Sequence, residues 1–134
     1  MTRHEQRYKA MTILYQAFLY DSNNISYDIN DIIDTQMEEK NKFIEMLVNG
    51  VIKTRDKLDE LANKYLDNWD LDRLGKTDRA ILRLSTYEMM YYDTPKVVVI
   101  NEAVELAKKY SDDKVVKLIN AVLDKVRDNE EVNE

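Results

Sequence analysis

From Phe43 to Leu66, apolar side chains keep a helical stripe for about six turns: Phe43, Ile44, Leu47, Val48, Val51, Ile52, Leu58, Leu61, Ala62, Tyr65 and Leu66. Spacing at i, i+3, i+4 and i+7 gathers side chains on one side of a helix, whereas a strand alternates its faces with period two. A long helix is therefore the first element that the chain dictates. Composition extends the argument: 134 residues include only two Gly and one Pro, with 34% charged and 44% hydrophobic. That balance favours helices over a turn-rich sheet, and the length suits one domain, residues 1–134, able to bury a real core.

Other segments repeat the pattern. Met11, Leu14, Tyr15 and Phe18 predict an amphipathic helix over about residues 3–20, broken at Asp21-Ser22-Asn23-Asn24 because short polar side chains compete for backbone hydrogen bonds. A short helix is expected over Tyr27 to Thr35. Arg55 interrupts the long stripe, and its stem is expected on the core edge with the charged head in water. Residues 68–75 read as a linker with one possible helical turn and Trp69 as its core anchor. Thr77 is expected to cap a helix over about 77–92, with Asp78 beside the positive end of the helix dipole. That segment is apolar on more than one side (Ala80, Ile81, Leu82, Leu84, Tyr87, Met89, Met90), as a central helix would be.

After Pro95, the β-branched run Val97-Val98-Val99-Ile100 reads locally as a strand. One isolated strand has no partner, which counts against it and favours the alternative, the start of a helix ending near Tyr110. Ser111-Asp112-Asp113 restarts a last helix with Val115, Ile119, Val122, Leu123 and Val126 facing inward. An acidic tail is expected over about 128–134. The fold class is all-α, a compact bundle of about six or seven helices.

The residue inventory speaks against catalysis. The single His, at position 4 near a terminus, leaves no second His for a metal pair and is poorly placed as a general base. Gly50 and Gly75 alone build no phosphate loop, and Glu-x-x-His repeats of a di-iron bundle are missing. Without cysteines there are no disulfides, thiolate nucleophiles or cysteine metal sites. Neither a metal nor a cofactor is expected. No run of about 18 apolar residues is present and the start lacks a signal-peptide core, so no membrane association is expected and the compartment is expected to be the cytoplasm.

The formal charge of −6 excludes a protein that grips polyanions with its whole surface. Charge is uneven, though. Residues 1–10 carry Arg3, Arg7 and Lys9 against Glu5, a net +2, which leaves −8 for the remaining 124 residues. From Asp21 to Glu39 there are six acids and no base, and the end is acidic too. A polyanion must approach the N-terminal segment, where Arg3 and Arg7 share a helix face at i, i+4.

The run from Arg73 to Lys125 carries two further signatures, RLGKTDRAILRLSTYE and INEAVELAKKY, and then Leu118-Ile119-Asn120-Ala121 before Val122-Leu123-Asp124-Lys125. In these motifs the chain resembles the NusB family of bacterial transcription antitermination factors, in which the third motif is Phe-Val-Asn-Gly. The resemblance implies a non-enzymatic helical protein. It would bind boxA-type single-stranded RNA of ribosomal RNA leaders together with the ribosomal protein NusE, and load a termination-resistant RNA polymerase elongation complex. It places Arg3, His4 and Arg7 on the RNA-binding start of the first helix. Tyr15 and Tyr65 match family tyrosines near the RNA, where rings can stack on unpaired bases; the other reading has them closing the core edge with hydroxyls in water. Lys117 and Asn120 keep polar members of the third motif, while Leu118 stands for its aromatic ring and Ala121 for its glycine. The resemblance also implies a NusE surface at Asp72, Arg73, Asp78 and Arg79, where negative charge suits a basic partner.

Two alternatives stand beside this reading. A related domain begins certain ribosomal RNA cytosine methyltransferases, but 134 residues leave no room for a methyl-transfer domain. The other is a helical protein-interaction or homodimerisation module without RNA binding. The chain itself is expected to be a monomer or homodimer.

Overall fold

The computed structural model describes residues 1–67 and 71–131. Six α-helices and one 3-10 turn account for most of them: α1 (Arg3–Ser22), α2 (Ile29–Gln36), α3 (Lys42–Tyr65), the 3-10 turn Leu71–Arg73, α4 (Lys76–Tyr91), α5 (Lys96–Tyr110) and α6 (Asp113–Asn129). No strand occurs among the described residues. Trp69, the expected linker anchor, lies outside them.

Local chemistry sets the helix boundaries. Thr2 begins α1 with a reciprocal capping box: its hydroxyl accepts from the Glu5 N–H while its own N–H donates to Glu5 Oε1 at 2.8 Å. The Asp28, Asn41 and Asp112 side chains cap α2, α3 and α6 by accepting backbone N–H bonds. The break after α1 contains Asn24 at φ 56°, a left-handed conformation that Asn tolerates better than most residues. Two expectations are corrected here. Gly75, not Thr77, occupies the cap position of α4, with no side-chain cap bond, and Thr77 lies inside the first turn. Helix α6 runs through Asn129, into the stretch expected to be tail.

Helix α4 is the centre of the bundle, packing against α1, α3, α5 and α6. Its residues Leu82 and Leu84, two positions apart and thus on nearly opposite sides, are both buried, which only a helix surrounded by neighbours permits. Gly50 of α3 lets the Tyr87 ring of α4 come close: a Cβ added there would sit 2.0 Å from Tyr87 Cζ. Tyr87 in turn stacks on Tyr91 with ring centroids 4.9 Å apart. The β-branched run 97–100 forms the first turns of α5, with Val99 and Ile100 in the core and Val97 and Val98 exposed. Burial on one side and solvent on the other is what a helix makes of four consecutive apolar residues here.

Charged side chains lock helices together. Arg83 of α4, buried, grips Asp59 of α3 with two bonds of 2.6 and 2.8 Å and lies 4.3 Å from the Phe18 ring centroid of α1. Arg55 does not simply hold its head in water as expected; it is paired with Asp21 at the end of α1. A nearby charge of opposite sign beats hydration alone for a half-buried guanidinium.

Candidate nucleic-acid and partner surfaces

The first turns of α1 give Arg3 and Arg7 different surroundings. Arg3 is exposed, donates to Gln6 at 3.0 Å and places its guanidinium 3.9 Å from the Phe43 ring centroid. Arg7, one turn later, is only 6% exposed. Its Nε and Nη2 donate to the two carboxylate oxygens of Glu88 at 2.8 and 2.7 Å. Glu88 holds the Arg7 guanidinium more firmly charged, with burial opposing. Arg3 and Arg7 share a face, as their spacing predicts, with Arg7 also 5.5 Å from the Phe43 ring centroid, but bidentate pairing and burial commit Arg7 to joining α1 and α4. His4 is half-buried, its Nδ1 2.5 Å from Glu102 of α5, so it too serves an interhelical contact.

Arg3 gains other cations instead. With Lys40, Lys42, Phe43 and Tyr92 it lines an open groove of 510 Å³, in which the Phe43 and Tyr92 rings lie 5.5 Å apart and tilted by 60°. Lys40 and Lys42 are exposed. Sequence reasoning misses them because they follow directly on the acidic run. Their signal is the return of positive charge at the cap of α3, but only the packing of Arg3 on Phe43 places them beside α1.

The remaining RNA candidates lie elsewhere. Tyr15 is exposed on α1, about 18 Å from Arg3 along the helix at 1.5 Å per residue. Lys117 is exposed on α6, Leu118 packs half-buried against the core and Ala121 is exposed. Asn120 donates to Asp124 at 3.1 Å. Tyr65, at the end of α3, is half-buried and donates its hydroxyl to Glu130, just past α6. These candidates are thus dispersed over α1, α3 and α6.

The expected partner residues fall at the start of α4. Arg73 is exposed in the 3-10 turn, and Asp72 contributes backbone to it. Half-buried Asp78 accepts a hydrogen bond from the Ser111 hydroxyl between α5 and α6, so it links two helix junctions besides facing the dipole of α4. Arg79 lines a groove of 340 Å³ with Phe18, Arg55 and Arg83.

One exposed aromatic pair carries a pH signature. Tyr8 and Tyr110 stack with centroids 6.3 Å apart and planes within 5°. A hydrogen bond from this pairing, then burial, then the Tyr8 charge, push the Tyr110 phenol up to about 12 from 10.0. A raised phenol pKa means that the folded state prefers the neutral form. Its contribution is complete below pH 10.0 and disappears as pH rises through about 12. Urea midpoints measured across that window should fall for the wild type and fall less steeply for Tyr110→Phe; equal slopes would show that the pair is not maintained in solution.

Comparison with known proteins identifies the family. Residues 4–128 match the NusB family. The chain is 44% identical over 130 residues to the transcription antitermination protein NusB of Bacillus subtilis (strain 168), covering 95% of each chain. Identity to the NusB of Staphylococcus haemolyticus is 44% over 128 residues, 95% of this chain and 100% of that one. Among solved structures, T. maritima NusB superposes with a TM-score of 0.85 at 29% identity, over 99% of this chain and 94% of that chain. A structure of the antitermination factors NusB and NusE in complex with dsRNA gives a TM-score of 0.76 at 26% identity, over 96% and 98% of the two chains. The motifs, the six-helix architecture around α4 and these matches along nearly the whole length establish that the chain belongs to the NusB family.

Proposed function

We propose that this chain is a transcription antitermination factor that acts by binding, without catalysis, in the cytoplasm. It joins a boxA-type RNA of ribosomal RNA leaders and the ribosomal protein NusE in an RNA polymerase elongation complex that resists termination. The observation that carries the reading is 44% identity, over 95% of the chain, to an antitermination protein. Support for the two partners comes from the related NusB–NusE structure that contains RNA. No helix among the described residues is long and apolar enough to cross a membrane.

In this reading the groove at Arg3, Lys40 and Lys42 holds phosphates while Tyr15 and Tyr65 offer rings to unpaired bases. Lys117 and Asn120 extend the contact along α6, with Leu118 supplying apolar surface only. His4 and Arg7 act indirectly, by holding α1 in place. Because the whole chain is acidic, NusE at Asp72, Arg73, Asp78 and Arg79 brings positive charge that the complex needs.

The test is a salt-controlled titration of a ribosomal leader RNA, single-stranded and as a duplex, with and without NusE. Replacing Arg3 and Lys42 together by alanine should weaken binding and reduce the slope of log K against log salt by about 1.4, since each phosphate contact on a single strand contributes about 0.7. An unchanged slope would remove this groove from the RNA surface. The second reading, an interaction module without RNA binding, is favoured by Leu118 and Ala121 in place of an aromatic and a glycine. NusE binding with no RNA binding under any condition would establish it.

A further inference from the structure

The end of α3 carries an arrangement that neither the fold nor the partner surface requires. Glu130, one residue beyond α6, turns its carboxylate onto Tyr65 and Lys64. Oε2 accepts both from the Tyr65 hydroxyl and from Lys64 Nζ at 2.9 Å. Lys96, at the start of α5, donates to the Glu130 backbone carbonyl at 3.4 Å. Only 18% of the Glu130 side chain is exposed, against 59% of Lys64. The Tyr65 hydroxyl first, and then Lys64, hold the carboxyl below the usual carboxylate range, with a smaller contribution from the charge of Lys57. The carboxylate therefore sits on one ammonium group and one phenolic O–H of α3, while the Lys96 ammonium of α5 bonds to the backbone carbonyl of the same residue.

Each of these donors suits a phosphodiester as well as a carboxylate: the ammonium groups are point charges and the phenol is a single O–H donor. Tyr65 also has its ring half-buried at the same place, with Lys64 Nζ 5.3 Å from the ring centroid. Glu130 is held at the C-cap of α6 by its backbone N–H, which donates to the Val126 carbonyl at 3.0 Å, so its side chain can leave Tyr65 and Lys64 by rotation without unwinding the helix. Removing the carboxylate would uncover the ammonium of Lys64 and the Tyr65 hydroxyl together.

We propose that Lys64, Tyr65 and Lys96 form a phosphate-binding site for the RNA backbone, and that the Glu130 carboxylate occupies it in the free protein as a competitor that RNA must displace. The inference rests on the RNA-binding reading above and adds to it a site on α3 and α5 and a built-in mask. Such a mask lowers affinity for any polyanion until the remaining contacts, or a bound partner, make displacement favourable, which tightens selection for the full RNA–protein assembly.

The experiment uses the full chain and two probes, a single-stranded oligouridylate and the leader RNA, titrated at several salt concentrations. Glu130→Gln should tighten binding about threefold to fivefold at low salt, the size expected from releasing one partly exposed ion pair. It should also steepen the salt slope by about 0.7, the contribution of one more neutralised phosphate on a single strand. Asp113→Asn, which removes an equal charge at the exposed start of α6, should have a smaller effect and no added slope. Combining Glu130→Gln with Lys64→Ala and Lys96→Ala should abolish the improvement. If Glu130→Gln is without effect, or if its tighter binding survives loss of both lysines, the masked site is overturned, while RNA binding that still depends on Arg3 and Lys42 leaves the RNA reading standing. If neither wild type nor Glu130→Gln binds either RNA, alone or with NusE present, both fall.

Discussion

Replacing Arg7 by alanine is expected to destabilise the protein by about 3–5 kcal/mol, the cost typical of leaving one member of a buried ion pair without its partner. The Glu88 side chain is 1% exposed and Arg7 supplies both of its charge-assisted bonds. Without the guanidinium, the carboxylate must stay charged and desolvated or take up a proton, and either alternative disfavours the folded state. Exposed Arg3, four residues away, should cost less than about 0.5 kcal/mol on the same change. A Lys at position 7 should not rescue fully, since an ammonium cannot match the two parallel bonds. Replacing both Arg7 and Glu88 by apolar residues of similar volume should recover much of the loss. Urea unfolding of the four variants decides the matter: a loss below about 1 kcal/mol for Arg7→Ala would mean a hydrated pair and an Arg7 available to ligands.

The second large effect concerns the middle of the bundle. Leu82→Ala and Leu84→Ala should each cost about 2–5 kcal/mol, because each removes a fully enclosed side chain and leaves a cavity that its neighbours fill only in part. Leu82 is 0% and Leu84 1% exposed. The informative result is that both cost much, since they point to different neighbours from one helix. A helix lying on the surface of the bundle would give one large value and one near zero. Chemical denaturation with constant slope is the measurement, and a difference greater than about 3 kcal/mol between the two variants would contradict a central position for α4.

These two sites show which parts of the protein could be read without coordinates. The stripe from Phe43 to Leu66, the wide apolarity of residues 80–90 and the restart of a helix after Ser111-Asp112-Asp113 were legible because helix formation depends on neighbours within four residues. The run 97–100 required overruling local propensity, and its burial on one side only, with Val97 and Val98 exposed, explains why propensity alone misleads there. Thr77 was misread as a cap because Ser and Thr usually fill that position, while Gly75 does so with an extended backbone and no side-chain bond. Lys40 and Lys42 were missed because their neighbours in sequence are acids and their neighbour in space is Arg3.

By itself, the sequence determined a set of amphipathic helices, an uneven charge and motifs of one family. All three are local properties, carried by periodicity, composition and short runs of residues. Tertiary structure alone decided what several charged side chains do. Arg7 looked like a partner of Arg3 on a basic face, and pairing with Glu88, 81 residues later, makes it a buried link between helices. Tyr65 could be read as a ring for stacking or as a core-edge side chain with its hydroxyl in water, and Glu130, 65 residues later, takes that hydroxyl. The physical reason is the same in both cases. A charge next to water has a small and replaceable interaction, whereas a charge taken out of water must find a specific partner, and that partner is chosen by how the helices pack rather than by what stands beside it in the chain.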